Sequence, residues 1–207
     1  MFKSIISVAV VSLLLMSCNS EKESHSENHH NSGSMSEDHH AHENNDKVES
    51  SNMEMGDANH VSKSSIITPI IDKYIILKNS LVQDNSKSAA KAGKMLFDAF
   101  KNLDKSKIEE SKLKEYNEIV EDAMEHAEHI STNADNIEHQ REHFEILSTD
   151  IVDLIKLIGT DRTLFVDKCP MYNDGKGGKW ISETKDIKNP FLGGEMPKCG
   201  SIISTIK

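Results

Sequence analysis

Sulfur-bearing side chains stand at both ends of a glycine- and proline-rich segment near the carboxyl terminus. The segment opens with Cys169-Pro170-Met171 and closes with Met196-Pro197-Lys198-Cys199-Gly200. Two thiolates with neighbouring thioethers select Cu(I) or Ag(I) over hard cations. The same cysteines also suit a disulfide closing a loop of about 30 residues, which contributes roughly 3–4 kcal/mol in the chain-entropy model. The residue types therefore predict either a soft-metal site or a crosslink.

Two histidines on a predicted helix are further candidate ligands. His139 and His143 stand four residues apart, so one helical turn stacks both imidazoles on the same side, flanking the apolar stripe. With Glu142 they also match H-x-x-E-H, the inverted zinc-protease motif. The motif is short, and no helical acidic ligand follows downstream, so we do not favour a peptidase. On the preceding helix, His126 and His129 point roughly opposite the apolar stripe, which predicts a solvated face.

The segment from residue 18 to 63 has the composition of a disordered tail. Residues 19–62 carry ten acidic residues against two lysines, and they contain no Ile, Leu, Phe, Tyr or Trp. Such a chain cannot bury enough apolar surface to offset its entropy. Because imidazole and thioether groups suit copper, we expect the tail to capture metal as well as to act as a spacer. Its histidines are His25, His29, His30, His39, His40, His42 and His60.

The first residues resemble a bacterial lipoprotein signal. Lys3 supplies a positive charge, and about twelve mostly apolar residues follow, too few to span a bilayer as a mature helix. Leu15-Met16-Ser17-Cys18 then ends the stretch like a lipobox. We predict a signal peptide over residues 1–17 and a lipidated Cys18. The protein would then be a bacterial membrane lipoprotein facing the periplasm or exposed at the surface, in an oxidising compartment.

The elements that must position these groups read as helices. Four segments with helical spacing lie between residues 64 and 158, joined by short connections, and Gly159 ends the last. Asp84-Asn85-Ser86 and the capping-box pattern of Ser106 and Glu109 are predicted helix starts. We predict an all-α fold, an antiparallel four-helix bundle with an irregular Gly/Pro-rich segment packed on it, and one domain over residues 64–207.

A series of motifs in this region resembles the domain family of unknown function known as DUF3347. The resemblance covers residues 66–202 and rests on His139-Gln140-Arg141-Glu142-His143-Phe144, Leu147-Ser148, Cys169-Pro170-Met171, Trp180-Ile181-Ser182, Ile187-x-Asn189-Pro190-Phe191 and Met196-x-x-Cys199-Gly200. The family occurs alone in exported bacterial proteins and at the carboxyl terminus of copper/silver efflux periplasmic adaptor subunits. The resemblance therefore implies a helical domain that handles heavy metal, copper above all. Here a His/Met-rich tail stands in place of an adaptor region.

These patterns together predict a lipid-anchored, non-enzymatic copper-binding protein for metal tolerance or delivery. Residues 63–207 carry 24 acidic against 21 basic residues, which sets nucleic acid aside as a partner. The expected partners are the membrane and a heavy-metal efflux complex. The expected ion is Cu(I) or silver, with zinc second, and the predicted domain ligands are Cys169, Met171, Met196, Cys199, His139 and His143. The alternative is a structural or interaction lipoprotein with a Cys169–Cys199 disulfide and no metal.

Overall fold

The computed structural model describes residues 61–207. Its helices are α1 Thr68–Val82, α2 Ser86–Lys101, α3 Leu113–Thr132 and α4 Ile137–Ile158, and its strands are β1 Leu164–Cys169, β2 Gly178–Ser182 and β3 Ser201–Ile206. The predicted signal peptide, Cys18 and the seven tail histidines lie outside the described residues. Among residues 61–207, no helix combines the length and apolar character that crossing a membrane requires.

The four predicted helices are confirmed, and each packs on the next along the chain. Large side chains of α1 are fully buried in the shared core, among them Ile70, Tyr74 and Leu77. Helix α2 buries Leu96 and Phe100 and also contributes small residues. A Cβ added at Gly93 would lie 3.0 Å from the Ala127 carbonyl oxygen, so the missing side chain lets α2 approach α3 closely.

Asparagine side chains start two of the helices. Asn85 accepts a hydrogen bond from the Ser88 N–H at 2.9 Å, and Asn136 accepts one from the His139 N–H at 3.1 Å. Gly159 ends α4 with φ of +100°, as predicted. The capping box at Ser106 and Glu109 is wrong, because two 3₁₀ turns, Lys105–Lys107 and Glu110–Lys112, precede α3.

A three-stranded antiparallel sheet, in the order β2-β1-β3, follows the helices. The prediction of an all-α fold is therefore wrong, and the domain is mixed α/β. The strands are hard to recognise because β2 is only five residues long and β3 exposes Ile202 and Ile203, which hides its alternation. The glycine-rich turns that break helical periodicity here also connect and flank these strands.

The sheet is attached to the bundle by a hydrogen-bond chain and by aromatic packing. The Tyr74 hydroxyl accepts from the Ile181 N–H at 3.1 Å and lies 2.8 Å from Ser148 Oγ. Trp180 and Phe191 are buried, and the centroids of the Phe191 and Phe144 rings lie 5.7 Å apart. Helices α1 and α4 are thereby fixed against β2 and the loop that follows it.

The amino-terminal edge of the domain lies slightly earlier than predicted. The Val61 N–H donates to the Lys207 carbonyl at 3.1 Å, and Lys63 forms a parallel bridge with Thr160. Residues 61–63, which were assigned to the tail, therefore pair with the folded chain.

Candidate metal centre

Four imidazoles meet where α3 turns into α4. His126 and His129 lie in the last two turns of α3, and His139 and His143 lie in the first two turns of α4. A short connection makes the two helices antiparallel neighbours, so the end of one lies beside the start of the other. Spacings of three and four residues then place both members of each pair on one face. These four residues are called the imidazole cluster below.

His143 lies at the centre of the imidazole cluster. Its ring stacks on His129 with centroids 4.3 Å apart and packs edge-on against His139 at 4.6 Å. Its Nδ1 lies 2.9 Å from His126 Nδ1. His129, His139 and His143 each offer one ligand atom, and these atoms all lie within 4.8 Å of one another. The three rings therefore sit close enough for a single ion after small rotations.

The donor set suits a borderline transition metal. Neutral imidazole binds zinc, copper, iron and nickel, and three protein ligands leave a fourth position open. A lone pair lies in the plane of its ring, so the parallel rings of His129 and His143 cannot both point at one ion. His129 must turn out of the stack, and its side chain is 45 % exposed, which leaves room for that rotation.

The electrostatics of His143 favour its metal-binding form. Burial lowers the pKa of His143 to about 4, with a further contribution from His129, His139 and His126, against which Glu142 acts weakly. The imidazole is therefore neutral over the physiological range, as ligation requires. A proton does not have to be displaced from His143 when an ion binds at neutral pH.

Carboxylates flank the outer imidazoles. His139 Nδ1 lies 3.2 Å from Glu142 Oε2, and His129 Nε2 lies 3.9 Å from Glu125 Oε1. A carboxylate at one ring nitrogen fixes the tautomer and raises the basicity of the other. For the H-x-x-E-H motif, the third group beside His139 and His143 is an imidazole from the upstream helix. Within residues 61–207, no carboxylate joins His139 and His143 in a trio of closely spaced ligand atoms.

The two cysteine sulfurs form a second candidate centre. Cys169 ends β1 and Cys199 precedes β3, and their sulfur atoms lie 3.0 Å apart as free thiols. Pairing of Lys168 with Ser201 between the strands brings them together. The Asn189 side chain, fully buried, donates to the Cys199 carbonyl at 2.8 Å and accepts from Phe191 N–H. The loop before Cys199 is thereby held in place.

The surroundings of the thiols favour ionisation of Cys169 first. Burial raises the pKa of Cys169, but hydrogen bonds from Cys199, from the backbone at Met171 and Tyr172, and from Asn189 outweigh it, so the net pKa is lowered. The pKa of Cys199 is raised because it donates to Cys169 and is desolvated. A thiolate on Cys169 beside a thiol on Cys199 is suited to binding a soft ion or to oxidation.

The six ligands predicted for the domain divide between two places. Cys169 and Cys199 are together, whereas the side chains of Met171 and Met196 are exposed, at 60 % and 45 % of the residue, and must turn in from solvent to reach them. His139 and His143 lie with the α3 histidines. Within residues 61–207, no trio of ligand atoms spaced within 4.8 Å joins a cysteine sulfur to an imidazole.

Sequence reasoning missed the contribution of α3. His126 is only 8 % exposed, so its assignment to a solvated face is wrong. The signal was available, because His126 follows buried Ala123 by three residues and precedes buried Ile130 by four, which places it at the edge of the apolar stripe. His129 is half-exposed, and no helical-wheel argument on α3 alone indicates that it meets the histidines of α4.

A family of known sequences matches the helical part of the chain. Residues 70–163 match the family described as "Protein of unknown function (DUF3347)". The match begins inside α1, covers α2, α3, α4 and the imidazole cluster, and ends before β1, so Cys169 and Cys199 lie outside it. No curated protein and no solved structure matches the chain.

Proposed function

We propose that this chain, which belongs to the DUF3347 family through residues 70–163, binds copper for metal tolerance or delivery. The function of the family is unknown, so the proposal rests on the side chains of this protein. The observation that carries the proposal is the convergence of His129, His139 and His143, whose ligand atoms all lie within 4.8 Å of one another. A partly buried His143 in contact with the rings of His129 and His139 distinguishes this trio from histidines scattered on a surface.

Copper is the ion that both ligand sets share best. Imidazoles accept zinc, copper, iron and nickel, while thiolates and thioethers accept Cu(I), zinc and iron–sulfur clusters. The overlap is copper and zinc, and the three methionines of the tail favour Cu(I) between these two. Copper at the imidazole cluster, with a second Cu(I) position at Cys169 and Cys199, accounts for both centres with one metal.

The proposed role is binding and transfer rather than catalysis. The tail histidines collect ions, the imidazole cluster holds one of them, and the thiols offer a softer site. A lipid on Cys18 would hold the protein at the membrane, within reach of a heavy-metal efflux complex.

The Cys18→Ala variant tests the lipid anchor by cell fractionation. The protein should move from the membrane fraction to the soluble fraction. Unchanged partitioning would remove the anchor from the proposal.

The copper test needs a chain in which only the imidazole cluster can respond. We define the reference chain as the full chain with the seven tail histidines, the three tail methionines and all three cysteines replaced by alanine. Competition with a chromophoric Cu(I) chelator should reveal one tight site per reference chain. His129→Ala with His139→Ala should weaken that site at least about 100-fold, since loss of even an outer-shell partner costs 10–100-fold.

The matched control changes exposed residues on the same two helices. Glu121→Ala with Glu138→Ala should leave Cu(I) affinity within about two-fold of the reference chain, because exposed positions that touch no ligand have little effect. The proposal is wrong if the double histidine variant binds Cu(I) as tightly as the reference chain while remaining folded.

The structural alternative is favoured by one observation, the 3.0 Å contact between the two sulfurs. If the cysteines serve as a crosslink, protein taken from cells without reductant should resist alkylation at both positions and weigh two hydrogens less. If they serve copper, both thiols should alkylate once the metal is removed by a chelator alone. Mass spectrometry of the unreduced chain separates the two functions.

A further inference from the structure

A second group of possible ligands lies between α3 and α4 beside the imidazole cluster. Asp122 and His126 stand one turn apart on α3, and Asp150 faces them from α4. Each offers one ligand atom, and these atoms all lie within 4.8 Å of one another. His126 Nε2 lies 3.5 Å from Asp122 Oδ1, on the side of the ring away from His143. The group therefore extends the line of imidazoles along the helix pair with oxygen ligands.

Asp150 is the unusual member of this group. Its Oδ2 has essentially no solvent-accessible surface and no hydrogen-bond partner. Asp153, one turn further along α4, pairs with Lys156, whereas Asp150 forms no salt bridge among residues 61–207. Buried polar atoms in folded proteins almost always have a partner, and a cation shared with Asp122 and His126 would supply one for Asp150.

The charges around Asp150 also indicate that its carboxylate lacks a cationic partner. Asp150 is partly buried and lies near the carboxylates of Asp122 and Asp153, both of which disfavour a negative charge on it. Nothing on α3 or α4 supplies a fixed cation there. A bound metal ion would remove the penalty by coordinating the carboxylate directly.

We propose that Asp122, His126 and Asp150 form a second metal site, one that takes a borderline divalent cation such as Zn²⁺ next to the copper-binding imidazole cluster. Two carboxylates and one imidazole are a harder donor set than three imidazoles, and they suit zinc and divalent first-row ions rather than Cu(I). Calcium requires six to eight oxygen ligands, which this group does not offer. The inference extends the proposed function, because His126 and His143, 2.9 Å apart, would then join two neighbouring ions.

A competing role for His126 makes a different prediction. If His126 only orients His143 through the contact between their Nδ1 atoms, then Asp122 and Asp150 bind no ion. Replacing these two aspartates would then leave the number of bound zinc ions per chain unchanged. Zinc content therefore separates the two roles, since an outer-shell partner alters the affinity of the first site without adding a second.

The test is equilibrium dialysis of the reference chain against Zn²⁺, with metal counted by mass spectrometry. We expect two zinc ions per chain, because Zn²⁺ also suits the three imidazoles. Asp122→Asn with Asp150→Asn should leave one, and His129→Ala with His139→Ala should leave the other. The control Asp153→Asn, an exposed carboxylate next along α4, should keep two.

Each failure has its own signature. If the double aspartate variant binds as much zinc as the reference chain, the second site is absent whatever the imidazole cluster does. If the double histidine variant retains two ions, the proposed function fails instead.

Thermal melting adds a check on folding. Asp150→Asn removes a carboxylate without a salt-bridge partner, so without metal the variant should melt no lower than the reference chain. Zinc should then raise the melting temperature of the reference chain more than that of the variant.

Discussion

The Tyr74 hydroxyl joins three elements at one point in the core. It accepts the Ile181 N–H at 3.1 Å and lies 2.8 Å from Ser148 Oγ, which in turn donates to the Phe144 carbonyl at 2.7 Å. Because the Ser148 hydroxyl donates its proton to the Phe144 carbonyl, it accepts from Tyr74, and the Tyr74 hydroxyl proton is directed at Ser148. The resulting chain runs from β2 through α1 to α4, and its bonds polarise one another in a dry interior.

Removing this hydroxyl should destabilise the fold without altering its shape. Tyr74→Phe leaves the buried Ile181 N–H without an acceptor, which costs about 1–3 kcal/mol. Urea unfolding followed by circular dichroism measures the loss. Tyr172→Phe is the matched control, since no hydrogen bond to its hydroxyl is present among the described residues, and we expect a change within about 0.5 kcal/mol. Equal stabilities for Tyr74→Phe and the unmodified chain would show that the hydroxyl chain does not hold the sheet.

At the scale of elements, strand pairing explains why the two ends of the segment from Cys169 to Gly200, called the sulfur segment here, lie side by side. The sequence indicated that its two ends meet, and the structure has Cys169 and Cys199 in contact. The expected cause was an irregular flap on the bundle, whereas the cause is the antiparallel pairing of β1 with β3. Gly200 permits the approach, because a Cβ there would lie 2.8 Å from Trp180 Cη2.

The helices could be predicted and most of the sheet could not, for a physical reason. A helix of about 15–20 residues repeats its apolar spacing over several turns, so one irregular residue does not hide it. A strand of five or six residues gives two or three alternations, and an edge strand such as β3 needs to bury only part of one face. The candidate ligands His139 and His143 on α4 could be proposed from helical spacing for the same reason, whereas their neighbours on α3 depend on how two helices meet.

A loop contact ties the end of α1, the start of α4 and the sulfur segment together. Asp84 pairs with Arg141 and accepts the Gly194 N–H at 2.8 Å, while Arg141 Nε donates to the Pro190 carbonyl at 2.9 Å. Desolvation alone raises the pKa of Asp84, but the hydrogen bonds from Gly194 and Arg141 outweigh it and hold the pKa below its usual value. The charged carboxylate is therefore the form that stabilises the folded state.

The effect of Asp84→Asn should depend on pH. With a depressed folded-state pKa, the contribution of Asp84 is present above the unfolded value of about 3.9 and is lost as pH falls through the folded value. Because the side chain is half-exposed, we expect a loss of only about 1 kcal/mol at pH 7, which shrinks toward zero in strong acid. Urea unfolding from pH 7 to pH 2 measures it.

The control for this pair is Asp98→Asn on α2. Asp98 pairs with Lys94 on an exposed helix face, and we expect a change within about 0.5 kcal/mol at every pH. A penalty for Asp84→Asn that stays constant from neutral to acidic pH would mean that the amide disrupts packing, and that the charge of the aspartate contributes nothing.

At the scale of the whole molecule, every histidine falls into one of two groups. Seven of the eleven lie in the acidic segment over residues 19–62, and the other four form the imidazole cluster. No histidine is left elsewhere in residues 61–207. The acidic segment attracts cations from solution, whereas the nearly neutral domain offers a few positioned ligands. This separation is what a protein would need if it first collects copper loosely and then binds it at a defined place.

The most direct test of copper binding by the imidazole cluster is nitrogen-15 NMR of the histidine side chains during Cu(I) addition. The reference chain retains only four imidazoles, and single substitutions assign each of them. If these three imidazoles bind one ion, the ring resonances of His129, His139 and His143 should move together and stop moving at one equivalent of Cu(I). Resonances that stay unchanged at one equivalent, in a chain that remains folded, would contradict it.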